Sequence, residues 1–253
     1  MTAPHVPAER RRLLDRLAAE AWPAIEVVER RGWRLRAAAG VTRRANTALP
    51  LGAGALTGDA LDEQLHAVTG FYADRSLPAR VQVSDPLLDT QLAARGWQLE
   101  SPTLVLSGPL SRGESPVAAT VTPVPDEAWL ACWWAVTGLG GERELDVARR
   151  CLAGIASPAG YASVRIDGDV VAVARGVVQE GWLGLFAMAV LPAHRRRGHG
   201  RDLLGGLGRW AATQGARAAY LQLGSGNDAG RALYTAAGFE TAYSYHYRYR
   251  PST

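Results

Sequence analysis

A loop rich in glycine and arginine, set between an apolar run and a helix-like segment, restricts the fold of this chain more than any other feature. The apolar run WLGLFAMAV ends at Val190, Pro192 follows, and Arg-x-x-Gly-x-Gly occupies residues 195–200. Helix-like sequence continues to about Gln214. A helix N-terminus presents unpaired N–H groups with partial positive charge, and glycine lets a ligand approach the backbone. The segment therefore predicts a strand–loop–helix unit that binds a pyrophosphate.

Two other glycine-rich phosphate-binding motifs are excluded because residues that they require are missing. A Walker loop ends in Gly-Lys-Ser or Gly-Lys-Thr, and the chain contains no lysine, since all 28 of its basic residues are arginine. A dinucleotide-binding loop needs a third glycine, where Leu203 stands, and an acidic residue about twenty positions further on, near Tyr220. The pattern that remains is Arg-x-x-Gly-x-Gly after a strand ending in Val-x-Pro.

Composition excludes several classes of protein. With 253 residues, 47% apolar and 21% charged, the chain has the composition of a globular protein. The net charge of +4 is modest, and acidic residues are interspersed among the basic ones, which argues against a nucleic-acid partner. The five histidines lack the spacing of metal ligands, so we expect no metal.

The same sequence indicates a location inside the cell. Cys132 and Cys151 are the only cysteines, and we expect buried thiols of a reducing compartment. The N-terminal sequence MTAPHVPAERRR lacks the apolar stretch of a signal peptide. The run WLGLFAMAVLPA is too short to span a bilayer. We therefore predict a cytoplasmic protein without a membrane partner.

The chain divides into two halves with a similar order of elements. A stretch rich in Ser, Gly and Pro predicts a linker at 108–117 between an N-terminal domain, 1–107, and a C-terminal domain, 118–253. The first half predicts a helix over about 8–21 and several strands, one of them in RRANTALP at 43–50. The alternation of helices and strands in both halves predicts an α/β fold with a mixed sheet.

In the second half, three consecutive strands are predicted between residues 161 and 190. The turns between them lie at Asp167-Gly168 and at Gln179-Glu180-Gly181. A helix before these strands is expected to begin after Asp126 as its N-cap. Gly205, Gly206 and Gly208 fall inside the helix that follows the phosphate loop, where each costs about 1 kcal/mol relative to alanine, and the sequence gives no reason for them.

An internal match supports a duplication. Residues 85–97, DPLLDTQLAARGW, align without gaps on residues 227–239, NDAGRALYTAAGF. The match places Leu92 opposite Tyr234 and Asp85 opposite Asn227, and the first half has no Arg-x-x-Gly-x-Gly. One half therefore keeps a chemistry that the other has lost.

Two motifs in the second half give the chain a resemblance to a known superfamily. AVLPAHRRRGHGRDLL resembles the coenzyme A pyrophosphate signature of the GNAT superfamily, the acyl-CoA-dependent N-acyltransferases, and LQLGSGNDAGRALYTAAGF resembles its second motif. The resemblance covers about residues 118–250 and implies a complete GNAT fold there, with a degenerate GNAT-like domain before it. RRANTALPLG, FYADRSLPARVQV and LAARGW look like the N-terminal region of two-domain actinobacterial GNATs, some of which are labelled N-acetylglutamate synthases.

The resemblance also implies a cofactor site for acetyl-CoA. The pantetheine would insert between two parallel strands and pair with the backbone of Met188 and Val190, while the amides of residues 196–201 would hold the pyrophosphate. The cofactor-binding residues implied are Met188, Ala189, Val190, Arg195, Arg196, Arg197, Gly198, His199, Gly200, Arg201, Asn227, Arg231 and Tyr234.

For catalysis the resemblance implies direct attack of an amine on the thioester. Tyr234 is assigned as the general acid, because a phenol is protonated at neutral pH and can donate to a departing thiolate. The strand before the loop has no carboxylate, so Glu180 in the preceding turn is taken as the base. Glu142, Glu144, Asp146 or a water chain stay open as alternatives, and His194 and His199 are expected to be surface residues.

The acceptor is expected to be a primary amine of a small molecule, such as glutamate, another amine metabolite or an antibiotic. Glu142 and Arg143 are candidates to bind its ammonium and carboxylate groups. A protein lysine or N-terminal acetyltransferase is the first alternative, and a non-catalytic acyl-CoA-binding regulator is the second. We expect a monomer or a homodimer.

Overall fold

The structure is a computed structural model that describes residues 6–52, 54–111 and 119–251. It forms two compact units. Unit 1 comprises residues 1–104, 141–154 and 243–253, and unit 2 comprises residues 105–140 and 155–242. None of the helices within the described ranges is both long enough and apolar enough to cross a membrane.

Seven helices and eleven strands make up the described residues. The helices are α1 (Ala8–Ala21), α2 (Gly58–Ala73), α3 (Pro86–Ala94), α4 (Glu127–Thr137), α5 (Glu142–Ala153), α6 (His199–Thr213) and α7 (Asp228–Ala236). The strands are β1 (Glu26–Arg30), β2 (Trp33–Ala37), β3 (Leu49–Pro50), β4 (Arg80–Val83), β5 (Gln98–Pro109), β6 (Thr120–Thr122), β7 (Ala159–Ile166), β8 (Asp169–Gln179), β9 (Trp182–Val190), β10 (Ala218–Gly224) and β11 (Glu240–Tyr249).

Unit 2 is a mixed sheet with a helix on each face. Its strand order is β5-β10-β9-β8-β7-β6, where β9 and β10 are parallel and β6 to β9 are antiparallel neighbours. A Cβ at Gly160 would touch Trp210 of α6, whereas the ring of the next residue, Tyr161, packs edge-on against Trp129 of α4. Since consecutive strand residues point to opposite faces, α6 and α4 cover opposite faces of this sheet.

The two predicted turns of unit 2 are confirmed as tight hairpin turns. Asp167 and Gly168 join β7 to β8 with φ values of 51° and 93°. Glu180 and Gly181 join β8 to β9 with φ values of 47° and 78°. Two consecutive positive φ values give the turn whose twist matches antiparallel strands. Asp126 is confirmed as the N-cap of α4, since its Oδ1 accepts a hydrogen bond from the Trp129 N–H at 2.7 Å.

Unit 1 contains a sheet of β1, β2 and β3 and a second group of strands in the order β4-β11-β5. Its core joins β2 and β4 to α2 and α3 through side chains that are almost fully buried, among them Leu61, Val68, Val81 and Leu92. Residues 243–253 belong here because β11 pairs with β4, with His246 opposite Val83. The bounds of the two units therefore differ from those of the predicted domains, 1–107 and 118–253. The predicted domains describe the two halves of a duplication, and that duplication stays a prediction.

The strand predicted at 43–50 is wrong except at Leu49 and Pro50. The amide of Asn46 organises a turn there instead. Its Oδ1 accepts from the N–H groups of Ala38 and Gly40, and its Nδ2 donates to the carbonyl oxygens of Val41 and Thr42. An asparagine that bonds its neighbouring backbone competes with a strand ladder, and at this position the turn wins.

The internal match is a match of elements as well as residues. Both bounds of α7 lie 142 residues after those of α3, and the start of β11 lies 142 residues after the start of β5. The side chains of Asp85 and Asn227 cap the two helices, and Gly96 and Gly238 follow them with φ values of 77° and 85°. The same offset also places Leu49-Pro50 on Leu191-Pro192, a correspondence that the alignment of 85–97 did not include.

The structure supplies a reason for two of the glycines inside α6. A Cβ at Gly206 would lie 2.9 Å from the Cβ of Ala119, and a Cβ at Gly208 would lie 1.7 Å from the carbonyl oxygen of Ser111. Glycine at these positions lets the chain on either side of residues 112–118 pass directly over the helix. Most of the predicted linker at 108–117 lies outside the described residues, and its first two residues, Gly108 and Pro109, end β5.

We predict that Gly208→Ala destabilises the protein although alanine is the better helix former. Overpacking a buried contact costs about 1–3 kcal/mol, which exceeds the helix-propensity gain of about 1 kcal/mol. Gly70→Ala is the matched control, because Gly70 lies in α2 and a Cβ there would meet nothing within 4 Å. Thermal unfolding should show a lower Tm for Gly208→Ala and an unchanged or higher Tm for Gly70→Ala. Equal Tm values in the two variants would contradict the packing argument.

Candidate active site

The parallel strands β9 and β10 part before they end. They pair from Trp182 with Ala218 to Leu185 with Leu221. β9 continues to Val190 and β10 to Gly224, beyond the last paired residues. We call this opening the splay. Strand edges that have lost their neighbour offer N–H and C=O groups to an extended ligand.

A bulge in β9 accompanies the splay. β8 pairs Arg175 with Phe186 and Val173 with Ala189, so β9 uses one more residue than β8 over the same stretch. Ala187 has a φ of 52°, in the left-handed region. A bulge bends its strand, increases the local twist and re-aims side chains. The bulge therefore lies where β9 leaves β10.

Tyr234 of α7 reaches the splay. Its hydroxyl donates to the sulfur of Met188 at 3.6 Å, and its ring packs against Phe239 with centroids 5.8 Å apart. Burial raises the pKa of Tyr234 to about 12. The phenol therefore carries its proton at any physiological pH and can act as a donor in the splay.

The phosphate loop connects the end of β9 to α6. A single 3₁₀ turn at Pro192–His194 follows β9, and the Nε of Arg195 donates back to the carbonyl oxygen of Val190 at 3.2 Å. Arg196 and Gly198 have φ values of 63° and 92°. These positive φ values turn the chain into α6, whose first N–H groups have no helical partner.

The charges of the loop point to solvent. The side chains of Arg195, Arg196 and Arg197 are all on exposed residues, and Arg201 in the first turn of α6 is exposed too. Within the part of the chain that the structure describes, Arg196 and Arg197 form no ion pair. Exposed guanidinium groups without an ion pair are suited to bind phosphate oxygens, with which they form paired hydrogen bonds.

The two glycines of the motif are required for different structural reasons. Gly198 needs its positive φ, and a Cβ there would meet nothing within 4 Å. Gly200 has no positive φ, but a Cβ there would lie 2.9 Å from the Cδ2 of Leu233 in α7. Gly198 thus shapes the loop, whereas Gly200 lets α6 and α7 pack closely.

The expectation of two surface histidines is wrong for His199. His199 begins α6 and is 7% exposed, and its Nδ1 lies 3.4 Å from the Oδ2 of Asp202, which is also 7% exposed. Residues three apart on a helix face the same side, so the first turn of α6 pairs them inward. His194 is half-buried, with its ring centroid 6.4 Å from that of His199.

Asn227 and Arg231 lie at the start of α7. The Oδ1 of Asn227 accepts from the N–H of Gly230 at 2.8 Å and so caps the helix, which leaves its NH₂ group as a donor. Arg231 is exposed, with its Nη2 3.4 Å from the Oδ1 of Asp228. The same helix that carries Tyr234 therefore presents a cap amide and a guanidinium.

The structure does not bring Glu180 to the splay. Glu180 precedes β9, whereas Met188 lies near the far end of that strand. Eight residues of extended strand span about 26 Å at about 3.3 Å per residue. A carboxylate at that distance cannot take a proton from an amine beside Met188 without a relay.

The other acidic candidates and Arg143 belong to α5, which is part of unit 1, while the splay is in unit 2. Glu142 and Arg143 are exposed in the first turn of α5. Glu144 accepts from the N–H of Gly141 at 2.9 Å, and Asp146 pairs with Arg149 at 3.0 Å. Glu144 therefore serves as a helix cap, and Asp146 forms an exposed ion pair.

Sequence reasoning missed Arg175 in the middle of β8. The residue is fully buried, and its guanidinium carbon lies 4.9 Å from the centre of the Phe186 ring. Burial raises the pKa of Tyr161, and Arg175 opposes that rise. The signal was available, because Arg175 is the single charged residue in the apolar run VVAVARGVV.

Together these residues fit an acyl-CoA. The splay offers strand edges, the loop and α6 offer N–H groups and arginines, and the phenol lies beside Met188. No group of three or more potential metal ligands occurs among the residues described.

Comparison with known proteins finds matches over most of the chain. A family model described as "Probable histone acetyltransferase Rv0428c C-terminal" matches residues 8–250. The probable histone acetyltransferase Rv0428c of Mycobacterium tuberculosis (strain ATCC 25618 / H37Rv) is 31% identical over 218 residues, which are 84% of this chain and 65% of that protein. The chain therefore spans slightly less than two thirds of that relative's length.

Two further comparisons cover almost the whole chain. The uncharacterized N-acetyltransferase YobR of Bacillus subtilis (strain 168) is 27% identical over 251 residues, covering 94% of this chain and 97% of that protein. A GCN5-related N-acetyltransferase from Kribbella flavida has a similar solved structure, with a TM-score of 0.70 and 18% identity over 97% of this chain and 96% of that one. At that identity the solved structure supports the fold alone.

We predict that coenzyme A raises the Tm of the protein and that Gly198→Val removes this shift. A ligand that binds only the folded state stabilises it by mass action. Valine at a φ of 92° forces the loop to rearrange. Gly181→Val is the matched control, with a φ of 78°, free space around it and a position at the other end of β9. Differential scanning fluorimetry should show that coenzyme A raises the Tm of the unchanged protein and of Gly181→Val but not that of Gly198→Val. A Tm shift retained in Gly198→Val would refute the loop assignment.

Proposed function

The chain belongs to the family described as the C-terminal region of the probable histone acetyltransferase Rv0428c, within the GNAT superfamily, and from this we propose that it is an acetyl-CoA-dependent N-acetyltransferase. The observation that carries the proposal is the contact of the Tyr234 hydroxyl with Met188 inside the splay. A proton donor at the point where two strands have parted serves chemistry on a ligand lying between them. Plain core packing would not need the open strand edge.

In this proposal the splay and the loop hold acetyl-CoA. The backbone of Met188, Ala189 and Val190 pairs with the pantetheine amides. The N–H groups of residues 196–201 bind the pyrophosphate, and the guanidinium groups of the loop and of Arg231 add charge-assisted hydrogen bonds. The free NH₂ of Asn227 donates to the cofactor. Acetyl-CoA supplies the activated acyl group, and the chain orients it.

The proposed chemistry needs one proton donor. The amine nitrogen bonds to the carbonyl carbon, the carbon–sulfur bond breaks, and the sulfur takes its proton from the Tyr234 hydroxyl. The phenol then recovers a proton from solvent. Because burial raises the pKa of Tyr234 to about 12, its hydroxyl keeps the proton until the thiolate forms. The acceptor ammonium loses one proton before the attack, and the same nitrogen loses a second proton as the amide forms, so one proton is released overall once the phenol has recovered its own. A water chain suits the removal of these protons better than Glu180, since Glu180 lies at the other end of β9.

The acceptor that we propose is a primary amine of a small molecule, with glutamate as one candidate. The resemblance of the first half to GNATs labelled N-acetylglutamate synthases supports it. A protein lysine or N-terminus is a second candidate, favoured by the name of the Mycobacterium relative. A non-catalytic regulator is the least supported, because a sensor has no use for a proton donor in the splay.

We also propose a cytoplasmic location and a duplicated origin. Cys132 and Cys151 are buried free thiols, as suits a reducing compartment. The constant offset of 142 residues between α3 and α7 and between β5 and β11 supports a degenerate GNAT-like half at 1–107 and a catalytic half at 118–253. We propose a monomer or a homodimer.

We predict that a panel of acceptors will separate the candidates. Purified protein with acetyl-CoA is offered amino acids, aminoglycosides, lysine peptides and an intact basic protein, and thiol release is measured. Turnover with a small amine well above background hydrolysis supports the leading proposal. Turnover restricted to peptides or protein would replace it with the second candidate. No turnover with any acceptor, together with tight coenzyme A binding, would favour the regulator.

We predict that Tyr234→Phe lowers turnover and leaves coenzyme A affinity nearly unchanged. The lost hydrogen bond exists mainly in the transition state, and general acid catalysis contributes typically about 10²–10⁴-fold. Tyr249→Phe is the matched control, since the Tyr249 hydroxyl donates a solvent-exposed hydrogen bond to Gln98 of unit 1. Pre-steady-state kinetics and calorimetry measure the two quantities separately. Wild-type turnover in Tyr234→Phe, where chemistry limits the rate, would show that the phenol only packs.

A further inference from the structure

Unit 1 contains a cleft at the position that corresponds, by the 142-residue offset, to the splay of unit 2. It lies between Leu49-Pro50 and the end of β4 and holds about 90 Å³. By the offset, Leu49-Pro50 corresponds to Leu191-Pro192, and Asp85 in the cleft wall corresponds to Asn227. The cleft is formed by unit 1 alone.

This cleft is too short for a pantetheine. Ala48 bridges Val81 in parallel, with hydrogen bonds from the Ala48 N–H to Arg80 and from the Gln82 N–H to Ala48, both at 2.9 Å. The offset places Ala48 and Val81 on Val190 and Leu223, where β9 and β10 have already parted. The strands of unit 1 thus stay paired where those of unit 2 are open.

The cleft also lacks the means to hold a pyrophosphate. The residues at the positions of Arg195, Arg196 and Arg197 are Ala, Gly and Ala at 53–55. The N-cap of α2, Thr57, has an unengaged side chain, and an aspartate replaces the asparagine that caps α7. A dianionic ligand therefore finds less positive and more negative charge here than in unit 2.

What the cleft offers instead is one buried carboxylate beside a guanidinium. Asp15 of α1 is 4% exposed and lines the cleft. Its Oδ1 accepts from the Nε2 of Gln82 and from the hydroxyl of Tyr243, both at 2.9 Å. The side chain of Ser84 also bonds this carboxylate. A carboxylate has about four lone-pair sites, so these three bonds leave about one site for a further donor.

The guanidinium is that of Arg12, one turn before Asp15 on the same face of α1. Arg12 also lines the cleft, and it makes no hydrogen bond or ion pair with any residue in the described ranges. Arg11 is already engaged, because its Nη1 donates to the carbonyl oxygen of Ser84 at 3.2 Å. Residues three apart on a helix lie about 5–6 Å apart at their Cβ atoms, so Arg12 and Asp15 present opposite charges side by side.

We propose that this cleft is a second, non-catalytic binding site that takes a free α-amino acid, with its ammonium group on Asp15 and its carboxylate on Arg12. The charges of such a zwitterion match the two side chains. A water-sized group needs about 10–15 Å³, so the cleft has room for about six to nine non-hydrogen atoms, as in a small amino acid. Leu92 stands where the phenol of Tyr234 would be, so the site lacks a counterpart of that proton donor.

The affinity for the amino acid depends on pH in a direction that the structure sets. Burial raises the pKa of Asp15 to about 6, against the opposing effects of Tyr243, Arg36, Arg11 and Ser84. Gln82 faces the same carboxylate without charge. The ammonium group binds the ionised form, so affinity is full at pH 7 and above and falls as pH drops through about 6. About a tenfold loss is expected between pH 7 and pH 5.

Calorimetry on the full chain without acyl-CoA tests the site. The probes are a panel of small α-amino acids, each beside its decarboxylated amine and its deaminated acid. One amino acid should bind per chain, and both truncated forms should bind at least tenfold more weakly. No binding by any member of the panel, or equal binding of an amino acid and its amine, would overturn the proposal.

Two variants locate the binding. Gly54→Trp should abolish it, because Gly54 lines the cleft, has free space around it and has no positive φ. Arg12→Gln should weaken it at least tenfold. Gly70→Trp, on the exposed side of α2, and Asp59→Asn are controls that should bind normally. Amino-acid binding that survives Gly54→Trp would refute the site and leave the proposed acetyltransferase untouched, whereas failure of the acceptor assays would leave this binding untouched.

Discussion

The parting of β9 from β10 is the constraint on which the candidate site depends. A parallel pair that continued to Gly224 would satisfy its own backbone groups and leave no edge for a ligand. One extra residue in β9, with Ala187 in a left-handed conformation, separates the strands after Leu185. The same bulge lies next to Met188, which the Tyr234 hydroxyl contacts, and the phosphate loop begins at the end of the same strand. Strand edge, loop and phenol thus meet at a single local irregularity.

The sequence predicted the parts of this arrangement that depend on local chemistry. Positive φ at Asp167, Gly168 and Gly181 follows from residue type, and so does the capping of α4 by Asp126. Features that depend on tertiary packing could not be predicted from the sequence. Asn46 diverts a strand-like segment into a turn through four hydrogen bonds, and Gly206 and Gly208 are explained only by what passes over α6. His199 is buried beside its partner Asp202, one turn away, and the glycine and arginine motif alone does not predict that contact.

The 142-residue offset separates buried positions that both halves share from the proposed site residues, which only the second half has. Leu61 and Leu203, and Leu65 and Leu207, are buried at corresponding positions of α2 and α6. At the corresponding positions, residues 53–55 contain no arginine and Leu92 stands in place of a phenol, and the bridge at Ala48 keeps the strands of unit 1 paired for longer. Closing the strands and removing the charges have the same effect, since each excludes a long anionic ligand.

The use of arginine in place of lysine has a consequence for the acetyl transfer that we propose. An unprotonated lysine amine is a nucleophile toward thioesters, whereas a guanidinium stays protonated and does not attack them. Arg195, Arg196 and Arg197 are exposed at the loop, and the chain carries no lysine at all. No lysine amine of this chain is therefore available to compete with the acceptor for the acetyl group. An acetyl-amide mark formed on a lysine in its presence belongs to another molecule.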